Sequence, residues 1–422
     1  MKFNKTTLKN GLRVITVPMT DNPSVTVLVL VEAGSKYETK DINGISHFLE
    51  HLTFKGTTKR PKAIDISREF DAMGAEHNAF TSQEYTGYYG KVDAKRCDDL
   101  LDILSDMYMN PLIDQSEMEK EKGVIIEEIR MYNDLPQSVV GHLFEELLYG
   151  DQPAGWKVIG TEENIRSCTR DQVVKYRRDH YKSTSTVVVV SGSFDENTII
   201  KKVENYFGNI EAGLNKPKLA VIEKQSEPQI KTFFKEIDQT HLVIGVRTFS
   251  VKDKRIPTLR VLSAILGKGM SSRLFSKMRN ELGICYYINA SNDSSTDHGE
   301  LAISAGVDNS RVEEGIKGIL SECKRMKEEL VPESELQKVK DYISGRTMLG
   351  LETSDARADY CGHKEILKGE IESPEEALKL VYAVTAEDVQ RLAKEIFVDK
   401  GLNMALVGKF KDGSQFKDYF KF

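Results

Sequence analysis

No two of the five cysteines (Cys97, Cys168, Cys285, Cys323 and Cys361) stand in a C-x-x-C pair. A thiolate metal cage uses that spacing, so a structural site of that kind is not expected. An odd number of unpaired thiols also fits a reducing compartment better than a disulfide-stapled secreted fold. Positive charge is not in excess: Lys and Arg number 59 against 65 Asp and Glu, for a net charge of −6. The cations are interspersed with acids, and no nucleic-acid partner is expected. No apolar run approaches the length needed to cross a bilayer, so no membrane partner is expected either. The opening residues Met1-Lys2-Phe3-Asn4-Lys5-Thr6-Thr7-Leu8 lack the apolar core of a secretory signal. They also lack the Arg-rich, acid-poor character of a mitochondrial transit segment, and a cytoplasmic protein is expected. Gly267-Lys268-Gly269 completes neither G-x-G-x-x-G nor a Walker sequence. It follows an apolar helical run and reads as a helix C-cap and turn.

What the chain does contain is His47-Phe48-Leu49-Glu50-His51. On a helix, residues four apart leave the same face, so the two imidazoles point together. Imidazole nitrogen is a strong ligand for a divalent transition metal, and two make half of a tetrahedral site. Glu50 lies three positions from His47, where a general base must sit to take a proton from water. The order H-x-x-E-H is the inverse of the commoner H-E-x-x-H. Two histidines on a polar surface helix would give the same pentapeptide. However, Ile45, Phe48, Leu49 and Leu52 form an apolar stripe beside them. The helix is therefore expected to be partly buried, where unpaired imidazoles are costly.

A third protein ligand is needed, and residues 117–130 read as an acidic helix. Most of its carboxylates are a solvated face. Glu121 and Glu128 are seven apart and share a direction, with Val124 and Ile125 between them marking that face as buried. A carboxylate on an apolar stripe needs a compensating charge, which a metal held by His47 and His51 would supply. Glu128 is assigned as third ligand and Glu121 as an accessory carboxylate, with Glu127 the competing candidate. Three protein ligands leave a fourth position for water, the catalytic form of a zinc site.

His47-x-x-Glu50-His51, followed by Glu121 and Glu128, resembles the insulinase/pitrilysin family of zinc metallopeptidases, the inverzincins. The likeness is greatest to its short members, which resemble the mitochondrial processing peptidase β subunit. Asn78-Ala79-Phe80-Thr81-Ser82 and Val124-Ile125-Ile126-Glu127-Glu128-Ile129 fit the same family, and the resemblance spans essentially the whole chain. It implies one zinc ion per chain, held by His47, His51 and Glu128, with Glu50 as general base and Glu121 assisting. It also implies that Arg279 and Tyr286, seven apart, contact bound peptide. By chemistry Arg279 suits a peptide carbonyl and Tyr286 an oxyanion. An Arg on a helix surface and a Tyr opening a buried strand is the plainer reading of the same pair. Asn78, Ala79 and Phe80 lie on a strand-like stretch that offers an edge to an extended substrate. His77 adjoins that edge; the other histidines read as ordinary surface or hydrogen-bonded residues.

The sequence repeats itself. Thr169-Arg170-Asp171-Gln172-Val173 runs on to Phe194 as Thr385-Ala386-Glu387-Asp388-Val389 runs on to Phe410, each pair 216 positions apart. Two similar domains are expected, 1–215 and 225–422, with a linker at about 208–224. The second copy has lost the metal chemistry: residues 258–266 carry no histidine or acid, and Val339 and Arg346 replace the two glutamates. Strand-like runs at 25–31, 187–190 and 242–246 mix with helical runs at 97–109 and 312–328. The order is not a regular βαβ alternation. The fold class expected is α+β, two similar domains from a tandem duplication, each a mostly antiparallel sheet with helices packed on it.

The function expected is a zinc-dependent endopeptidase acting on peptides or unfolded segments in a chamber between the two domains. A peptide substrate is then the partner, together with a second subunit: a homodimer, or a heterodimer with a degenerate homologous chain. The competing reading is a non-enzymatic scaffold or assembly subunit resembling respiratory-complex core proteins. Such relatives lack an intact metal motif, which is present here.

Overall fold

The computed structural model describes residues Met1–Phe422, which divide into two compact units. The first unit holds six strands: β1 (Asn4–Thr7), β2 (Arg13–Pro18), β3 (Ser24–Val31), β4 (Glu76–Thr81), β5 (Thr86–Asp93) and β6 (Thr186–Gly192). They lie in the order β1-β2-β6-β3-β5-β4. Only β2 and β6 run parallel. The second unit holds β7 (Gln229–Phe234), β8 (Gln239–Thr248), β9 (Cys285–Ser294), β10 (Gly299–Asp308) and β11 (Leu402–Gly408). Their order is β7-β11-β8-β10-β9, again with one parallel pair, β7 and β11. Without β1 the two orders superimpose: β7 answers to β2, β11 to β6, β8 to β3, β10 to β5 and β9 to β4. The tandem duplication and the α+β class are therefore present in the strand pairing itself.

The sequence halves are not the compact units. The first unit is Met1–Arg130, Trp156–Leu219 and Met348–Glu372, and the second is Met131–Gly155, Ala220–Thr347 and Ser373–Phe422. Each half lends one helix to the other's sheet. The helix Ser354–Lys368 lies on β3 and β6 of the first unit, and Pro136–Tyr149 lies on β8 and β11 of the second. The compact units thus differ from the repeat halves read from the sequence, 1–215 and 225–422. The reason is the second face of each sheet. In β3 and β6, Val25, Val27, Val29, Val188 and Val190 face helices of their own half. Leu28, Leu30, Val187 and Val189 face the other way and are covered by Ala358, Cys361 and Ile366. A sheet buried on both faces reads as continuous apolar strands rather than alternating ones. Gly362 permits the close approach, since a Cβ there would come within 2.6 Å of Leu30.

The stretch read as a linker is held along its length. Asn215 donates to the Glu32 carbonyl, Lys216 pairs with Asp179 at 2.6 Å, and Lys218 pairs with Glu84, all in the first unit. In the second, Ile222 exchanges hydrogen bonds with the Gln152 side chain. Gly267 ends the helix Ile256–Gly267, and a Cβ on it would meet the Ala290 backbone nitrogen at 2.1 Å. Close packing on β9, and not a left-handed cap, requires glycine there: Lys268 holds the cap position in extended conformation.

Candidate active site

The helix Ile45–Thr53 buries Ile45, Phe48, Leu49 and Leu52 in the first unit's core and leaves His47 and His51 half-buried. It lacks a side-chain N-cap: Gly44 holds the cap position at φ 101°, and a Cβ there would sit 2.7 Å from the Ile159 carbonyl oxygen. Both facts require glycine. The orphan N–H groups of the first turn are met instead by Glu38. Its Oε2 accepts from the Gly44 N–H at 2.8 Å and from Asn43 Nδ2 at 2.9 Å, and its Oε1 accepts from the Ser46 N–H at 2.8 Å. Burial raises the Glu38 carboxyl above its ordinary value, against the pull of these hydrogen bonds. The helix dipole favours an anion at this end. Sequence reasoning missed Glu38. The signal was there, since a helix opening on glycine leaves donors that something upstream must satisfy. Glu38→Ala is expected to destabilise the protein by about 3 kcal/mol, since each orphaned buried donor costs roughly 1–3 kcal/mol. Chemical unfolding of the two proteins checks this.

The helix Gln115–Asp134 carries the other half of the site. Glu128 Oε2 lies 3.7 Å from His47 Nε2 and 3.6 Å from His51 Nε2. Glu121 is buried; its Oε1 stands 2.8 Å from His51 Nδ1 and its Oε2 2.6 Å from Lys55 Nζ. Placing the His51 proton on Nδ1, toward Glu121, leaves Nε2 with its lone pair toward Glu128. Burial pushes the Glu121 carboxyl up, but the His51 and Lys55 contacts outweigh it and the pKa is lowered. His51 is lowered by burial and raised more by Glu121, Glu50 and Glu128, for a net rise. Burial and the neighbouring His51 hold His47 down at about 3, so its imidazole is neutral and free to coordinate. Burial raises Glu128.

Do these residues fit a metal? The three ligand atoms lie within 4.8 Å of one another. The two His–Glu separations exceed a hydrogen bond. They are close to the edge of about 3.4 Å that a tetrahedron with zinc–ligand bonds of about 2.1 Å requires. Two imidazoles and a carboxylate are the donor set that zinc takes, and one imidazole has its far nitrogen fixed by a carboxylate, as ligating histidines usually do. The residues fit. No other group of three metal-binding side chains converges in the chain.

One detail departs from the sequence reading. Val124 is 52% exposed, whereas Ile125 is fully buried. At 100° per residue the two fall on opposite flanks of the Glu121–Glu128 line, each about 50° away, and only Ile125's flank meets the core. Glu127, the competing ligand candidate, is exposed and pairs with Arg130 at 2.7 Å.

Glu50 is buried beside the histidines. Its Oε2 accepts a hydrogen bond of 2.5 Å from the Thr81 hydroxyl. Burial raises its carboxyl; the Thr81 hydrogen bond and the His51 charge oppose this, and Glu128 adds to it. Thr81 ends β4, the outermost strand of the first sheet. Ala79 shares its face and packs toward the histidine helix's core. Asn78 and Phe80 alternate to the other face. Asn78 is exposed and accepts from the Ala79 N–H, and the Phe80 ring lies 6.2 Å from Tyr85 and 6.0 Å from His363. Phe80 therefore points away from Glu50. His77 stacks on Phe70 at 3.9 Å.

Arg279 and Tyr286 belong to the second unit and touch each other. Arg279 sits on a π-helical turn, Ser276–Glu281, a form common at functional sites. Its Nη1 donates to the Tyr286 carbonyl at 2.6 Å, and its guanidinium lies over the Phe275 and Tyr286 rings at 5.2 and 5.3 Å. Tyr286 is 71% exposed, so it opens its strand in solvent and not in a core.

Only the first of the two similar units carries a group of side chains that could hold a metal ion, and its H-x-x-E-H order is that of the inverzincin metallopeptidases. Residues 13–162 match the model of the insulinase family, peptidase family M16, and residues 167–343 match that of the peptidase M16 inactive domain. A Bacillus subtilis protein named as an uncharacterized zinc protease is 36% identical over 93% of this chain and 95% of its own length. One from Streptomyces coelicolor is 32% identical over 97% and 90%. Among solved structures, a protease from Helicobacter pylori shares the fold at a TM-score of 0.90, with 23% identity over 96% of this chain and 99% of that one. Complex III of Candida albicans gives a TM-score of 0.88 at 18% identity, over 99% and 100%. The chain belongs to the insulinase family of peptidases, M16. No helix in it is long and apolar enough to cross a membrane.

Proposed function

We propose that this protein is a zinc endopeptidase acting on peptides or unfolded segments, with one zinc ion held by His47, His51 and Glu128 and with Glu50 as general base. The observation that carries the reading is the convergence of those three ligand atoms within 4.8 Å, beside Glu50. Zinc, when bound, supplies the Lewis acidity that makes water nucleophilic and polarises a peptide carbonyl. The chain's own residues do the rest. Glu50 takes the proton that water loses and returns it to the leaving amine. Glu121 keeps the His51 proton on Nδ1, so that Nε2 remains a ligand. Arg279 and the exposed Tyr286 hold bound peptide, the arginine through its remaining N–H groups and the tyrosine through its hydroxyl. Asn78 and Ala79 present the free edge of β4 to an extended substrate.

The scaffold reading has the fold likeness to complex III behind it, but fold does not carry function. An intact ligand set with an unligated carboxylate beside it favours chemistry. Whether the chain works as a homodimer or beside a degenerate homologue is a separate proposal that gel filtration of the active species tests. The function itself is tested by elemental analysis and by mass-spectrometric mapping of cuts in a mixed peptide library, with and without chelator. One zinc per chain and chelator-sensitive cuts are expected; a pure, zinc-loaded protein that cuts nothing would leave the proposal without support. Glu121→Gln is expected to weaken zinc affinity by about 10–100-fold, since partners that orient a metal-ligating histidine are worth that much. Competition with a fluorescent chelator measures it.

A further inference from the structure

Glu50 has two carboxylate oxygens in different situations. Oε2 accepts a hydrogen bond from the Thr81 hydroxyl. Oε1 has no hydrogen-bond partner in the protein. Thr81 is itself held: it pairs across the sheet with Thr86, whose hydroxyl donates to the Ala33 carbonyl at 2.8 Å. The Thr86 oxygen stands 3.5 Å from Thr81 Oγ1. The backbone of β4 and β5 thus fixes the Thr81 hydroxyl, and that hydroxyl grips one oxygen of a side chain on a different element, 31 positions earlier in the chain.

We infer that Thr81 is a positioning residue for the reaction proposed above: it locks the Glu50 carboxylate in one orientation by occupying Oε2, and so assigns proton transfer to Oε1. The inference rests on that reading of Glu50 as base. A free carboxylate rotates about its last bond and presents either oxygen, and in-line proton transfer needs one oxygen at hydrogen-bond reach of water. The terminal torsion of glutamate is broad, so an external contact is required to hold it. Thr81 supplies that contact from the strand whose free edge is proposed to receive the substrate.

The test compares Thr81→Val, which keeps shape and removes the hydroxyl, with Thr81→Ser, which keeps the hydroxyl. Zinc-loaded Thr81→Val is expected to lose about 10–100-fold in kcat with KM and zinc content unchanged, and Thr81→Ser to recover to within about threefold. In crystals of the zinc-loaded Thr81→Val protein, the Glu50 carboxylate is expected to turn away from residue 81 on β4. The inference is overturned by wild-type kcat in Thr81→Val, by Thr81→Ser failing as badly as Thr81→Val, by loss of zinc from Thr81→Val, or by an unmoved Glu50 in its crystals. An inactive wild-type protein would count against the peptidase reading, and the crystal comparison would still decide the role of Thr81.

Discussion

Glu50→Gln protein is expected to hold one zinc per chain and to lose about 10²–10⁴-fold in peptide cleavage, the range that a positioned general base contributes. Gln has the shape of Glu, so the packing of the histidine helix is unchanged. The Thr81 hydroxyl can still donate, now to the amide oxygen. The three ligand atoms belong to His47, His51 and Glu128 and are untouched. What disappears is the carboxylate beside them that is not already spent on His51 and Lys55, as Glu121 is, and that can take a proton from water and pass it on. Elemental analysis and steady-state cleavage of a quenched fluorescent peptide are the two measurements. Wild-type cleavage by a zinc-containing Glu50→Gln protein would remove Glu50 from the mechanism.

The grouping of His47, His51, Glu121 and Glu128 was legible because a helix turns a spacing into a direction. His47 and His51 four apart, and Glu121 and Glu128 seven apart, each fix a shared face whatever the rest of the fold does. That the two faces meet is a tertiary fact, and only the need of a half-buried carboxylate for a partner charge hinted at it. What the spacing could not show is which flank of a helix meets the core. Val124 and Ile125 are both apolar and adjacent, and only the packing separates them. Glu38 and Thr81 were missed for the same reason. Each acts on the histidine helix from outside it, through a single hydrogen-bonding side chain with no periodicity to announce it. Asn78, Ala79 and Phe80 were grouped as one motif, yet a strand sends alternate side chains to opposite faces, and Phe80 joins Tyr85 and His363 on the far one.

At the level of the fold, the duplication was readable because both copies keep their capping threonines and the apolar strands that follow them. Thr169 and Thr385 each open a helix with a capping box. The exchange of helices between halves was not readable. A run such as Val187-Val188-Val189-Val190 says that a strand is buried on both faces, but not whose helix covers the second one. Here Cys361 and Ala358, from the second half of the chain, cover the first sheet.

Removing the third ligand is expected to have the other large effect, and it separates two adjacent glutamates. Glu128→Ala should lose stoichiometric zinc and all zinc-dependent cleavage, because two imidazoles alone leave half of the coordination sphere to solvent. The fall in affinity should exceed the 10–100-fold expected for Glu121→Gln, which alters only the support of one ligand. Glu127→Ala should keep both zinc and cleavage, since that side chain is spent on Arg130 in solvent. His51→Ala should resemble Glu128→Ala with a further cost, since Glu121 would lose its imidazole partner and retain only Lys55. Chelator competition on the four proteins, run beside one cleavage assay, gives the ordering. Zinc bound as tightly to Glu128→Ala as to wild type would mean that the ion sits elsewhere, and retention by Glu128→Ala with loss from Glu127→Ala would move the third ligand by one residue and turn the helix by about 100° from the orientation described above.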